Sequence, residues 1–413
     1  MAFYLLLLYI FMAFIRPHEY IELFIGVPVT LVILVSVAIA SLLTIDKNKI
    51  SDIFQVKLLI LILVSIFLSN FVKHDVDNAI IQITKFFPIA ILSLLIVKLL
   101  TDVKKINYYI FIIIICSVVI SIHGIFQIQT GIGWTGVGLV HNRISYLGIF
   151  HDPNDLGMLL VITIPMLIYF RLLFTSLVSR MMVYGAITIN LYGLYLTNSR
   201  GSILALFAMM GVYIKEKYGI YKFVVLVIIL SPFAYVLPSR MSTVSVEESS
   251  AAGRVEAWYQ GLQMFFAFPF TGIGAGRFIE FHHLTAHNSF ILVIAELGMF
   301  GYFFWFMMMA YTFSLISHAR KTYAHNSNKN LVLALNMFYF SYIGLFVTMF
   351  FLSRSYSIIL YIYLFLTISF YKILLKDGYQ PQVDHYIYVR YFGYSVASII
   401  LFYIFVKVLV LMT

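Results

Sequence analysis

The sequence predicts an all-α fold: a polytopic transmembrane helix bundle of about 12–14 spans, with one larger extracytoplasmic loop containing short amphipathic helices. Three observations carry this. The 413 residues are 62% hydrophobic and 11% charged, with a mean hydropathy of +0.98. A soluble domain of this size cannot hide that much apolar surface. Apolar runs near the roughly 20 residues that cross a bilayer recur from end to end. The one long interval without such a run, Val236 to Phe300, gathers Arg240, Arg254, Glu256, Arg277, Glu280, His282, His283 and His287. Ionisable groups at a membrane border are costly and are usually kept for a function.

Taken in order, the runs place spans near 2–15, 22–45, 56–72, 79–97, 107–130, 155–171, 181–197, 201–215, 220–237, 287–317, 330–351, 356–375 and 391–411. They leave no room for a separate soluble domain, so residues 1–413 are expected to form one integral membrane domain. The loop 238–286 is expected to carry part of an active site. The first run lacks a basic leader and a small-residue cleavage site, and reads as a retained helix. The single cysteine, Cys116, lies in an apolar run. That excludes an internal disulfide and a cysteine-based metal centre.

Loops after even-numbered spans hold 13 Lys and 4 Arg; the other side holds 2 Lys and 7 Arg. The positive-inside rule puts the first set in the cytoplasm. The N-terminus is then cytoplasmic and the 238–286 loop faces outward. This asymmetry also accounts for the formal charge of +10 without nucleic acid. Lysine suffices for electrostatic anchoring, whereas the arginine fork matches phosphate or carboxylate oxygens in pairs. An arginine-rich outer face points to an anionic ligand, although arginines also reach lipid phosphates from membrane borders.

Five outward segments bear polar chemistry. In GIFHDPNDLG (148–157), Asp152 is placed to cap a helix with Pro153 as its first residue. Capping explains the spacing of His151, Asp152 and Asp155 without a metal. In LTNSRGS (196–202), Asn198 or Ser199 can cap the next helix, and Arg200 sits at its start. A cation there opposes the helix dipole, a conflict that a bound anion relieves. GRVEAWYQGLQMFFAFPF (253–270) has the spacing of an amphipathic helix, with Arg254 and Trp258 on one face. GIGAG (272–276) lacks the strand context of a dinucleotide fingerprint and reads as a flexible turn after Pro269. TAHNSF (285–290) opens a long span, with His287 and Asn288 expected in its first turn. A helix start disfavours added positive charge, so a histidine there is suited to act as a general base. Glu296 lies half a turn out of phase with His287 and is expected to pair within the bundle. Lys85 sits inside a span and has no evident role in the sequence.

The ordered set resembles the O-antigen ligase and O-antigen polymerase superfamily of bacterial inner-membrane glycosyltransferases. The matching residues are Asp152-Pro153-Asn154, Ser199-Arg200-Gly201, Arg254 with Trp258, Pro269 with Gly272, Gly274 and Gly276, His287-Asn288, and Glu296 with Gly298 and Gly301. The match spans about residues 148–301. The resemblance implies transfer of a glycan from undecaprenyl diphosphate to an acceptor hydroxyl outside the inner membrane, with inversion and without metal or other cofactor. It implies that Arg200 and Arg254 hold the donor diphosphate and that His287 activates the acceptor. Asn288, Arg277, Trp258 and Arg143 are the expected supporting residues. The acceptor is a lipid, a glycan or a protein hydroxyl, which leaves ligase and polymerase open. Membrane lipids and a chain-length regulator are candidate partners, and nucleic acid is not. A transporter or flippase of an anionic lipid-linked glycan is the rival from another class. It calls for ionisable groups near mid-membrane and related halves with broken helices.

Overall fold

A computed structural model describes residues 1–43, 53–225, 251–380 and 386–412. The described residues are helical throughout, with two isolated antiparallel bridges, Ile132 to Gly138 and Val140 to Arg143. Among the described residues, eight helices are long and apolar enough to cross a membrane. They are α3 (Phe54–Phe71), α4 (Val76–Leu99), α5 (Val103–Thr130), α6 (Pro153–Leu173), α11 (Ser289–Thr322), α12 (Lys329–Phe350), α13 (Ile358–Lys376) and α14 (Ile387–Met412). Two apolar helices are shorter, α1 (Ala2–Ile15) and α2 (Val29–Leu42). Two more polar ones, α7 (Leu177–Leu196) and α8 (Arg200–Tyr218), have span length. The protein is thus a multi-pass helical membrane protein. The expected span 22–45 begins only at Val29, because Gly26 takes a positive φ of 84° and Pro28 cannot continue a helix from before it. Most of the expected 220–237 span, and loop residues 238–250 with Arg240, lie outside the described residues.

Two compact units emerge. One comprises Met1–Cys116, Arg254–Tyr339 and Met349–Thr413. Within it α3 packs on α11 and on α4, and α4 also meets α13. Trp258 and Leu262 of the helix α9 (Ala251–Ala267) share one apolar cluster with Ile291, Leu292 and Ala295 of α11. The apolar stripe of α9 is covered by protein at Trp258 and Leu262. Gly261 makes this approach possible, since a Cβ there would lie 2.6 Å from Ile291 Cγ2.

The other unit comprises Ser117–Gly253 and Phe340–Thr348. Here α6 is the centre, buried along most of its length and packed on α7 and α8. A buried amide ties three helices together. Asn190 Nδ2 donates to Ser117 Oγ at 2.9 Å and to Thr163 Oγ1 at 3.3 Å, and Ser121 Oγ donates to Asn190 Oδ1 at 3.1 Å. Fully satisfied polar groups of this kind fix helix pairing in an apolar interior.

Candidate active site

The glycine-rich loop is the first feature built by backbone chemistry. Gly272, Gly274 and Gly276 all have positive φ, at 68°, 111° and 76°. The helix α11 is broken at Gly298, with φ 63° and ψ −165°. Loop and break bond to each other. Ile273 N–H donates to Ala295 O at 2.9 Å and Gly274 N–H to Glu296 O at 3.0 Å. In return Met299 N–H donates to Pro269 O at 2.8 Å and Phe300 N–H to Phe270 O at 3.2 Å. The peptide groups freed by the break find partners in the loop, as they must in an apolar medium. The sequence reading of GIGAG as a flexible turn is corrected: it is a turn held by main-chain bonds. The two glycine motifs are the two sides of one joint.

The joint is also anchored from elsewhere in the same unit. Ser69 Oγ accepts from Ala275 N–H at 3.0 Å, and Asn70 Nδ2 donates to Ala275 O at 3.2 Å. Asn78 Nδ2 donates to Asn70 Oδ1 at 2.9 Å, and Gln82 Nε2 to Asn78 Oδ1 at 3.1 Å. Glu296 Oε1 accepts from Phe278 N–H at 3.3 Å, at the start of the short helix α10 (Phe278–Phe281). This accounts for the phase of Glu296: it faces the glycine loop, away from His287.

His287 lies just before α11, not in its first turn as expected. Asn288 is the N-cap, its Oδ1 accepting from Phe290 N–H at 2.9 Å and Ile291 N–H at 3.1 Å. His287 itself has a left-handed φ of 47°. Thr285 Oγ1 accepts from its N–H at 3.3 Å. The turn that follows α12 clamps this segment. Thr285 Oγ1 donates to Ser353 Oγ at 2.7 Å. Ser289 Oγ accepts from Arg354 N–H at 2.9 Å, and Ser355 Oγ donates to Ser289 O at 2.8 Å. The histidine is half-buried, and the neighbouring Asn288 Nδ2 is buried with no hydrogen-bond partner among the described residues. No local pattern signals this clamp, whose parts lie over 60 residues apart.

The other expected site residues divide by role. Arg254 is half-buried in the first turn of α9. Trp258 packs into the core, its ring 5.6 Å from that of Phe350. Arg277 is engaged by carboxylates, at 2.8 Å from Glu280 and 3.6 Å from Asp75. Lys73 lies against the Phe268 ring, and burial followed by the nearby Arg277 charge pulls its amine below the usual lysine range.

In the second unit, two of the polar motifs meet. Asp152 caps α6 through a bond from Asn154 N–H to Oδ1 at 2.8 Å, with Pro153 as first residue. Arg143 bridges this cap to the SRG turn: its Nε donates to Thr197 O at 2.7 Å and its Nη2 to Asn154 Oδ1 at 2.7 Å. Ser199 caps α8, and Arg200 is the exposed first residue of that helix. The α6–α8 approach depends on Gly157, where a Cβ would meet Ser202 Oγ at 2.4 Å. Arg143 therefore works as a strut. Among the described residues no three His, Cys, Asp or Glu side chains are grouped to hold a metal.

No curated protein matches the chain. Residues 185–306, which include Arg200, Arg254 and His287, match the family described as O-antigen ligase, and this part of the chain is thus similar to the O-antigen ligase and polymerase superfamily.

Proposed function

We propose that this protein transfers a glycan from a polyprenyl diphosphate carrier to an acceptor hydroxyl at the extracytoplasmic face of a bacterial inner membrane. The lysine and arginine asymmetry of the loops supports that orientation. The observation that carries the reading is the seat of His287. A non-glycine residue held in the left-handed region stores strain of order 1–3 kcal/mol, and such strain concentrates at functional positions. Here the strained residue is a histidine, clamped on both sides, beside a buried amide donor with no partner.

In the proposed step the acceptor oxygen attacks the anomeric carbon from the face opposite the carrier. The new glycosidic bond forms as the bond to the diphosphate oxygen breaks. The hydroxyl proton passes to a His287 imidazole nitrogen, and the carrier leaves as the diphosphate anion. Asn288 Nδ2 is available to orient the acceptor. Arg254, in the first turn of α9 and in the same unit as His287, is the proposed diphosphate contact; Arg200, at the start of α8 in the second unit, is a proposed anion-binding residue. Paired guanidinium bonds to phosphate are strong in a low dielectric, and they help most where charge develops on the leaving group. No metal or cofactor is invoked in this step.

Purified full-length protein, a lipid-linked oligosaccharide and candidate acceptors test this, with polyprenyl diphosphate release as the readout. Release that requires the acceptor supports transfer. Movement of the intact lipid-linked glycan across vesicles, with no release, would establish a transporter in its place.

A further inference from the structure

The first unit contains a cavity of about 220 Å³ lined by Ile66, Gln82, Lys85, Phe86, Ala275 and Tyr356. At roughly 30 Å³ per water it has room for about seven waters. That is enough for one monosaccharide ring. Its walls are chemically specific. Asn78, Gln82 and Lys85 follow one another at helical spacing and make a polar stripe on an otherwise apolar span. Asn78 and the glycine joint fix the Gln82 amide. A Cβ on Gly276 would lie 2.3 Å from Gln82 Nε2, so that glycine is what lets loop and amide meet. Phe86 and Tyr356 stand edge to face at 6.2 Å and offer ring surface.

Two further polar atoms stand at its edge. The Tyr356 hydroxyl, on the cavity wall, meets the Glu296 carboxylate. Neither Tyr356 Oη nor Glu296 Oε2 finds any other partner among the described residues, so the tyrosine oxygen keeps hydrogen-bonding capacity for a ligand. Lys85 borders the same cavity and makes no ion pair among the described residues. An unpaired lysine within a span marks a ligand path.

We infer that this cavity binds one anionic sugar residue, with Lys85 taking the anionic oxygen, Gln82 and Tyr356 the ring hydroxyls, and the aromatic edges the ring face. A sugar carboxylate and a sugar phosphate offer the same chemistry. The inference deepens the transferase reading by naming a class of sugar, and rests on that reading only for calling the ligand a substrate. Binding is measured without turnover, so its failure leaves the transfer test untouched.

The test is calorimetric titration of purified full-length protein in detergent with glucuronate, glucose 1-phosphate, glucose and inorganic phosphate. Wild-type protein is expected to bind at least one of the two anionic sugars at least tenfold more tightly than glucose or inorganic phosphate. Whichever binds identifies the source of the charge. Lys85→Met should weaken that binding at least tenfold. Tyr356→Phe, which removes one oxygen and preserves the ring, should weaken it severalfold without lowering the melting temperature. No binding of either anionic sugar overturns the inference, as does glucose or inorganic phosphate binding equally well. Unchanged affinity in both variants overturns it too.

Discussion

Replacing Gly298 by alanine would put a methyl group into the joint between the glycine loop and α11. The added Cβ would lie 2.6 Å from Gly272 N and 2.6 Å from the Phe270 carbonyl carbon and oxygen, so backbone has to move. Two costs follow. Holding alanine at a φ of 63° and a ψ of −165°, a region that essentially only glycine occupies, costs at least about 1–2 kcal/mol. Pushing the loop away also strains four main-chain bonds: Ile273 to Ala295, Gly274 to Glu296, Met299 to Pro269 and Phe300 to Phe270. At about 1 kcal/mol net for each bond, losing two of them brings the total to roughly 3–4 kcal/mol. Gly378 supplies the control. Its φ is 93°, but nothing lies within 4 Å of the Cβ it would gain, so Gly378→Ala carries the conformational cost alone. Thermal unfolding of the purified variants, followed by fluorescence, should show a fall for Gly298→Ala two to three times that for Gly378→Ala. Equal falls would refute the claim that loop and broken helix are one joint.

Other variants probe other parts. Arg143→Ala removes two charge-assisted bonds, to Thr197 O and Asn154 Oδ1. It should cost about 2–4 kcal/mol by thermal unfolding, with Arg143→Lys intermediate because lysine cannot reproduce the two-armed geometry. Arg254→Lys should reduce transfer strongly if paired bonds to the diphosphate matter, and full activity in that variant would leave only charge attraction. His18 lies between α1 and α2, and its pKa is held below the usual histidine range, chiefly by burial. The unfolded chain therefore binds this proton more readily than the folded one. The His18 contribution to stability is complete above about pH 6.5 and is lost as the pH falls from there toward the depressed folded value. His18→Gln should flatten that part of the stability profile, as read by unfolding midpoints between pH 7 and 5.

Much of the fold was legible in hydropathy, because a bilayer demands long apolar helices and turns with helix-capping residues. The caps at Asp152 and Ser199 were visible for the same local reason. Trp258 and Arg254 share a face in sequence, yet only packing shows that Trp258 is core while Arg254 is half-buried. Arg143 was expected only as a supporting residue, and its bridging role was hidden because its partners lie 11 and 54 residues away. The glycine joint was hidden by the continuity of the apolar run across Gly298. The Asn78, Gln82 and Lys85 stripe was a readable signal, at helical spacing inside a span. Its meaning depended on Tyr356 and Ala275, which the chain brings in from far away.

The most direct measurement compares His287→Asn with wild type for acceptor-dependent release of polyprenyl diphosphate. Asparagine tolerates the left-handed backbone that His287 adopts and carries no base. The account predicts an unchanged melting temperature with release lowered about 10²–10⁴-fold. Release at the wild-type rate from a correctly folded variant would contradict it.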